Sequence, residues 1–425
     1  MTDSDKDAKC FTPVFVARQP VFDSSQRVWG YELYFREDLD ATTADCDDLD
    51  RASMEVTAGA IVSPLSFFDM GRKMLLNYEQ QSILDSVPYS LPSDQTVVQV
   101  PTRIVGLDNS AKVQETVQAL VELKGDGYLI ALDDFGPEKV TPAALELADI
   151  LIIDVLGKKR DCLKAAVEAA RGQTSLIMAK KVEDGKSYST AKELGFTLFQ
   201  GFFFKRPEIV AGRKLTSHEI SRLNLLRAIE QEQPDYAKLA EDVQSDVSVS
   251  YRLLSYLNSA AFGFPQKINT IKQALVLLGW KQLKNWLRVV ILTDLTPNNK
   301  SSELSYLAVQ RAKFLELTAR NHKQPGEEPE KLFLLGLFSL LEVMLDMSME
   351  EIVERLPFEQ DLNDGLCRKP GSKYLAWLDM VNAFETAEWE TLDRTIQDLE
   401  LNRLLVAMTY YESIPWAKAF FLHGR

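Results

Sequence analysis

The chain has 425 residues, 46% hydrophobic and 26% charged, which is the composition of a soluble globular protein with room for two or three domains. Its formal net charge of -14 argues against general nucleic-acid binding, which needs a basic surface, while leaving room for a small basic pocket around a phosphate. Cys10, Cys46, Cys162 and Cys367 are too widely spaced for a zinc knuckle and too few for a disulfide scaffold, so a reducing cytoplasm is expected.

Residues 1–11 read as a disordered tail, polar and acidic at its start and so no signal peptide. From residue 12 to about 207, short apolar runs alternate with helical segments. Candidate strands are 14–17, 74–76, 96–100, 128–132, 150–153 and 175–178. Between them lie stretches such as 112–124, with Val113, Thr116, Val117, Leu120 and Leu123 on one helical stripe. This strand-then-helix rhythm predicts a mostly parallel sheet with helices outside, and the segment is long enough for an α/β barrel.

From residue 208 to 425 the pattern is helix after helix, and the boundary between the two domains is expected near 206–215. Leu253, Leu254 and Leu257 form one apolar stripe, Ile271, Ala274, Leu275 and Leu278 another, and Leu404, Leu405 and Met408 a third. Turns are expected at 263–265, 297–299 and 325–326, and a helix break at Leu356-Pro357. The apolar stretch 332–341, bounded by Lys331 and Glu342, is too short to span a bilayer and reads as a buried helix, so no membrane insertion is expected.

The most informative motif is Asp133-Asp134-Phe135-Gly136, directly after the run 128–132. Carboxylates at the C-terminal end of a barrel strand stand where barrel enzymes place their chemistry, and acidic pairs there hold metals or move protons. The plainer alternative is a strand end followed by a turn, which Asp and Gly favour.

Other motifs extend this one. Ala17-Arg18-Gln19-Pro20-Val21-Phe22-Asp23 leads to Gly30-Tyr31-Glu32-Leu33-Tyr34-Phe35-Arg36; Leu76-Asn77 follows, then the Asp-Asp-Phe-Gly run, then residues 149–154, Ala179-Lys180-Lys181-Val182-Glu183 and Gln200-Gly201-Phe202. In this order they resemble the EAL domain, a TIM-like (β/α)8 barrel family that linearises the bacterial second messenger cyclic di-GMP. The resemblance implies two divalent cations, Mg or Mn, at the C-terminal face, with Glu32, Asn77, Asp133 and a glutamate of the third motif holding the first. Asp134 and Glu183 would join the catalytic set of an active member. In this chain Gln99 and Thr102 replace two glutamates of the third motif, Lys180 replaces the glutamate that would bind or polarise the catalytic water, and Ile152 replaces a lysine. A neutral amide binds a hard cation less well than a carboxylate, and an ammonium repels it. The resemblance with these substitutions implies a degenerate site without catalysis or cofactor. What it leaves is a partial ligand-binding set: Glu32, Arg36, Asp133, Asp134, Lys180, Glu183 and Gln200. For the charged members the alternative is an internal ion pair, such as Lys180 with Asp133 or Asp154. The family's Thr-Gly-Tyr-Ser-Ser loop, which couples pairing of barrels to activity, reads Pro137-Glu138-Lys139-Val140 here.

The helical half has three histidines, His218, His322 and His423, none followed by aspartate, so it lacks the His-Asp pair of a metal-dependent HD phosphohydrolase. The runs 251–263 and 268–279, with 334–341 and 388–390, resemble the HDOD domain, an HD-related helical output module without the metal site. Phe262 and Phe264 read as core, or else as aromatic residues offered to a partner. The two resemblances together imply a bacterial signalling protein acting through protein contacts at the HDOD domain, with cyclic di-GMP or another nucleotide as a candidate ligand and a homodimer as a candidate assembly. The alternatives are an active cyclic di-GMP phosphodiesterase and a scaffold that binds no nucleotide.

Overall fold

The computed structural model describes residues 15–36, 72–106, 110–136, 138–172, 176–206, 215–231, 243, 247–257, 273, 276–277, 279–296, 302–322 and 328–422. The tail 1–11, the turns at 263–265, 297–299 and 325–326, the stripe from Ile271 to Leu278, and Phe262 and Phe264 lie outside the described residues.

Eight strands close a barrel in chain order: β1 Phe15–Asp23, β2 Val28–Arg36, β3 Lys73–Asn77, β4 Thr96–Pro101, β5 Leu129–Asp133, β6 Ile150–Asp154, β7 Leu176–Lys180 and β8 Leu198–Gln200. The sequence pattern located six of these and missed β2 and β8. β2 carries a buried charge in mid-strand, and β8 has only three residues. The sheet is parallel from β2 to β8, but β1 pairs antiparallel with both neighbours. The expected helix at 112–124 is Ala111–Gly125, capped by Ser110, whose side chain accepts from the amide of Val113; Val113, Thr116, Leu120 and Leu123 are buried.

Successive side chains on a strand point to opposite faces, so every second residue of each strand faces the barrel axis. One interior layer is apolar: Val21, Leu75, Val97, Ala131, Ile150, Ile152, Met178 and Leu198. Two residues further toward the strand ends, the same parity gives Asn77, Gln99, Asp133, Lys180 and Gln200, with Glu32 beside them on β2. The apolar layer is thus a packed floor, and the polar residues stand on it at the barrel mouth.

After β8 the described elements are helical, among them Ser217–Ile229, which opens with a capping box between Thr216 and Glu219. Its centre is the Ser302–His322 helix, packed against Pro329–Phe338 and Arg403–Leu422. Gly336 lets two of these backbones meet, since a Cβ there would lie 2.5 Å from the Ala312 amide nitrogen. The stretch 332–341 is buried as expected, split by a turn at Ser339-Leu340. The third stripe needs correction: Leu404 and Met408 are exposed, and the last helix buries Val406, Ala407 and Tyr410 instead. That helix is apolar nearly all round, so spacing alone could not choose its inner face.

The two halves meet along the outer face of β1 and β2. The Arg18 guanidinium lies 4.7 Å from the ring centre of Tyr31 and 4.6 Å from that of Tyr306, and it donates to Gln310 at 3.1 Å. Tyr31 donates to Glu303 at 3.0 Å. Beside them, Glu385 is held by both arms of Arg311 at 2.8 Å and by Lys205. Burial would raise the Glu385 carboxyl, but Arg311 and Lys205 outweigh it and bring it down to about 2.

Candidate functional site

The barrel mouth is built around Glu32, which is fully buried. One of its oxygens, Oε1, accepts from Lys180 Nζ at 2.9 Å, Asn77 Nδ2 at 3.1 Å and Gln99 Nε2 at 3.1 Å. The other accepts from Gln200. Asp133 Oδ2 accepts from Lys180 Nζ at 3.0 Å and from Gln99 Nε2 at 2.8 Å. One ammonium and one amide therefore bridge the same two carboxylates. Gln99 Oε1 is buried with no hydrogen-bond partner among the described residues, because both carboxylates claim the other end of the amide.

Burial would raise the Glu32 carboxyl, yet the adjacent Lys180 charge and hydrogen bonds from Tyr34, Lys180 and Asn77 hold it below the usual range. Burial would likewise lower Lys180, but Glu32, Tyr34 and Asp133 push it well above an ordinary lysine. The pair is thus ionised on both sides. The bland reading of Lys180 as an internal ion pair holds for Asp133; Asp154 is instead paired with Lys181 at 2.7 Å.

The other candidate residues are spread around this cluster. Asp134 has left-handed backbone, φ 56°, which turns its side chain out of the mouth to pair with Lys139 on the surface. Glu183 pairs with Arg206 at 2.8 Å. Ile152 belongs to the apolar floor, and Thr102 Oγ1 donates to the Asp134 carbonyl at 3.3 Å. Arg36 ends β2, and its side chain lies outside the described residues. Two residues that the sequence reading gave no role belong to the cluster: Tyr34, whose hydroxyl lies 3.1 Å from Gln200 Nε2, and Gln19, whose Oε1 accepts from Gln200 at 3.2 Å. Their signal was parity, since both share the inward register of β1 and β2 with Glu32. Gly201 has φ 147° and lies so close to Val182 that a Cβ would meet the Val182 carbonyl at 2.1 Å, which explains a glycine after Gln200.

A divalent cation wants several anionic oxygens converging on one point. Between Glu32 and Asp133 that point is held by an ammonium and an amide nitrogen, so this donor set does not fit such an ion. Among the described residues no group of three or more His, Cys, Asp or Glu side chains is placed to hold a metal. Among them also, no helix is long and apolar enough to cross a membrane.

The family model of the EAL domain matches residues 68–207, and that of the HDOD domain matches residues 218–360. Two curated proteins match almost end to end at 30% identity. One is named uncharacterized protein YuxH, of Bacillus subtilis strain 168, with 95% of this chain and 98% of that protein covered. The other is named cyclic di-GMP phosphodiesterase CdgJ, of Vibrio cholerae, with 95% and 92% covered. The chain belongs to the EAL–HDOD family. The EAL–HDOD assignment joins it to cyclic di-GMP signalling, and the closed barrel followed by helices is the fold expected of it. Among solved structures, Klebsiella pneumoniae BlrP1 in a calcium and cyclic di-GMP complex is similar at 21% identity and a TM-score of 0.38, over 46% of this chain and 56% of that one.

Proposed function

We propose that this EAL–HDOD protein signals without hydrolysing cyclic di-GMP: its barrel is a degenerate EAL domain, and its output is protein contact through the helical half. The observation that carries this reading is Lys180 Nζ within 3.0 Å of both Glu32 and Asp133, where an active relative's metal ligands would need a cation. The site's remaining polar groups, Gln99 Oε1 among them, leave cyclic di-GMP a candidate ligand that the barrel reads without cleaving. Homodimers formed through the barrel belong to the same reading.

A second reading is favoured by the name of the Vibrio cholerae relative: an active phosphodiesterase using Glu32, Asn77, Asp133, Asp134, Glu183 and Gln200. Incubation of the purified full chain with cyclic di-GMP and Mg²⁺ or Mn²⁺, with product followed by chromatography, separates the two. We expect no turnover. Turnover that disappears in Asp133→Asn would overturn the proposal. Calorimetry with chelator present then asks whether the barrel is a receptor: metal-independent binding weakened by Arg36→Ala supports one, and absence of binding leaves a scaffold acting by protein contacts alone.

A further inference from the structure

The helical half contains a cavity of about 360 Å³ between the Trp280–Leu295, Ser302–His322 and Arg403–Leu422 helices. That volume lies in the range of small-molecule sites. In a chain of net charge -14, the described residues lining the cavity include three cations, Lys281, Lys313 and Arg320, and a single carboxylate, Glu316. Glu316 is buried and ties down two of them, with Lys313 at 3.1 Å and Arg320 also in contact. The lining therefore keeps a net positive charge facing solvent, the electrostatic signature of an anion site.

The remaining walls are aromatic. Lys313 Nζ stands 5.0 Å over the Trp416 ring, so a cation and a flat apolar face are presented together. Opposite, Trp286 packs with Tyr256 at 6.3 Å and with Phe420 at 6.2 Å between ring centres. These three rings also border a second cavity of about 160 Å³, so they stand as a partition between two lobes. Flat aromatic walls suit a planar heterocycle, and clustered Lys and Arg suit phosphate oxygens.

We infer that this cavity of the helical half binds a nucleoside phosphate, the base against the tryptophan walls and the phosphate toward Lys281, Lys313 and Arg320. The inference is independent of the barrel reading, since it uses no residue of the mouth. An acidic peptide would satisfy the cations but brings no planar heterocycle to set against the aromatic walls.

The test uses the full chain and calorimetry, with AMP, GMP, ATP and GTP as ligands and guanosine, adenosine, inorganic phosphate and a polyglutamate peptide as controls. We expect at least one nucleotide to bind at least about tenfold more tightly than its nucleoside or phosphate alone. Lys281→Glu and Arg320→Glu change exposed positions, so the fold should persist by circular dichroism; each should weaken nucleotide binding about tenfold or more, the scale of one charge-assisted contact. Lys180→Met in the barrel should leave this binding unchanged. No nucleotide binding up to about 1 mM, binding equal to that of phosphate or peptide alone, or binding indifferent to both charge reversals overturns the inference.

Discussion

The barrel mouth and the seam between the two halves both bury charge, but they do so for opposite ends. At the mouth, one ammonium is shared by two carboxylates at 2.9 and 3.0 Å, and the cluster stays partly open to water, with the Asp133 side chain 23% exposed. At the seam, one carboxylate is shared by two cations, and Glu385 and Arg311 are closed off almost completely. Lys205–Glu385 joins the two halves, and Arg311 braces the same carboxylate from within the helical half, so Glu385 acts as a fastener. The mouth's pairs join strands that the barrel already holds together, so they are free to define the chemistry of a site. A buried ion pair is weak evidence of stability by itself, but removing one partner is costly in proportion to how uncompensated the buried survivor is left.

That contrast sets the order of expected effects. Glu385→Ala leaves Arg311 and Lys205 buried without their counter-ion and should cost about 3–5 kcal/mol in denaturant unfolding of the full chain. Lys180→Met removes the shared counter-ion, but Asn77, Gln99 and Gln200 still donate to the buried Glu32 and Asp133 is partly exposed, so it should cost less, about 1–3 kcal/mol. If the mouth proves the more sensitive of the two, the division into fastener and site is wrong. Lys180→Glu sharpens the comparison from the chemical side. It replaces the ammonium by a third carboxylate, and calorimetric Mn²⁺ affinity should rise by at least about tenfold over the parent. An unchanged affinity would mean that Lys180 is not what keeps cations out.

Acid should act on the seam's Glu385 only well below neutrality. The Glu385 carboxyl falls from 4.5 to about 2 on folding, so its contribution is complete above about pH 5 and is lost as the pH falls toward 2. Glu385→Gln should therefore flatten the stability profile in that window and leave its shape above pH 5 unaltered. The smallest effect is expected at Leu404 and Met408, exposed on the last helix: replacement by Gln should shift stability by no more than about 0.5 kcal/mol, whereas Val406→Ala, on the buried side, should cost more than that.

Much of the barrel was legible in the sequence because a fully buried parallel strand is a short unbroken apolar run, as in Ile150–Asp154. β2 hid itself because Trp29, Gly30, Tyr31 and Glu32 do not read as such a run, although Glu32 and Tyr31 are both buried, one on each side of the strand. The polar cluster was largely visible from the motifs that resemble the EAL domain: Glu32, Asn77, Gln99, Asp133, Lys180 and Gln200 do come together. What could not be read was direction. Nothing in the sequence of Asp133-Asp134 tells that a left-handed residue sends the second carboxylate away, nor that Lys180 would choose Asp133 and Glu32 over Asp154. The seam was less legible still, because its partners, such as Arg18 and Gln310, lie nearly 300 positions apart and carry no local pattern.

β1 is where these two regions become one object. Arg18 sits between tyrosines at the seam, while the next residue, Gln19, accepts from Gln200 within the mouth and also reaches the Thr386 carbonyl of the helical half at 3.4 Å. Neighbouring residues on a strand are about 3.8 Å apart and cannot be moved separately. A twist of the helical half would therefore pull on a strand whose other face touches the Glu32 cluster, and the barrel would feel it as altered strand pairing.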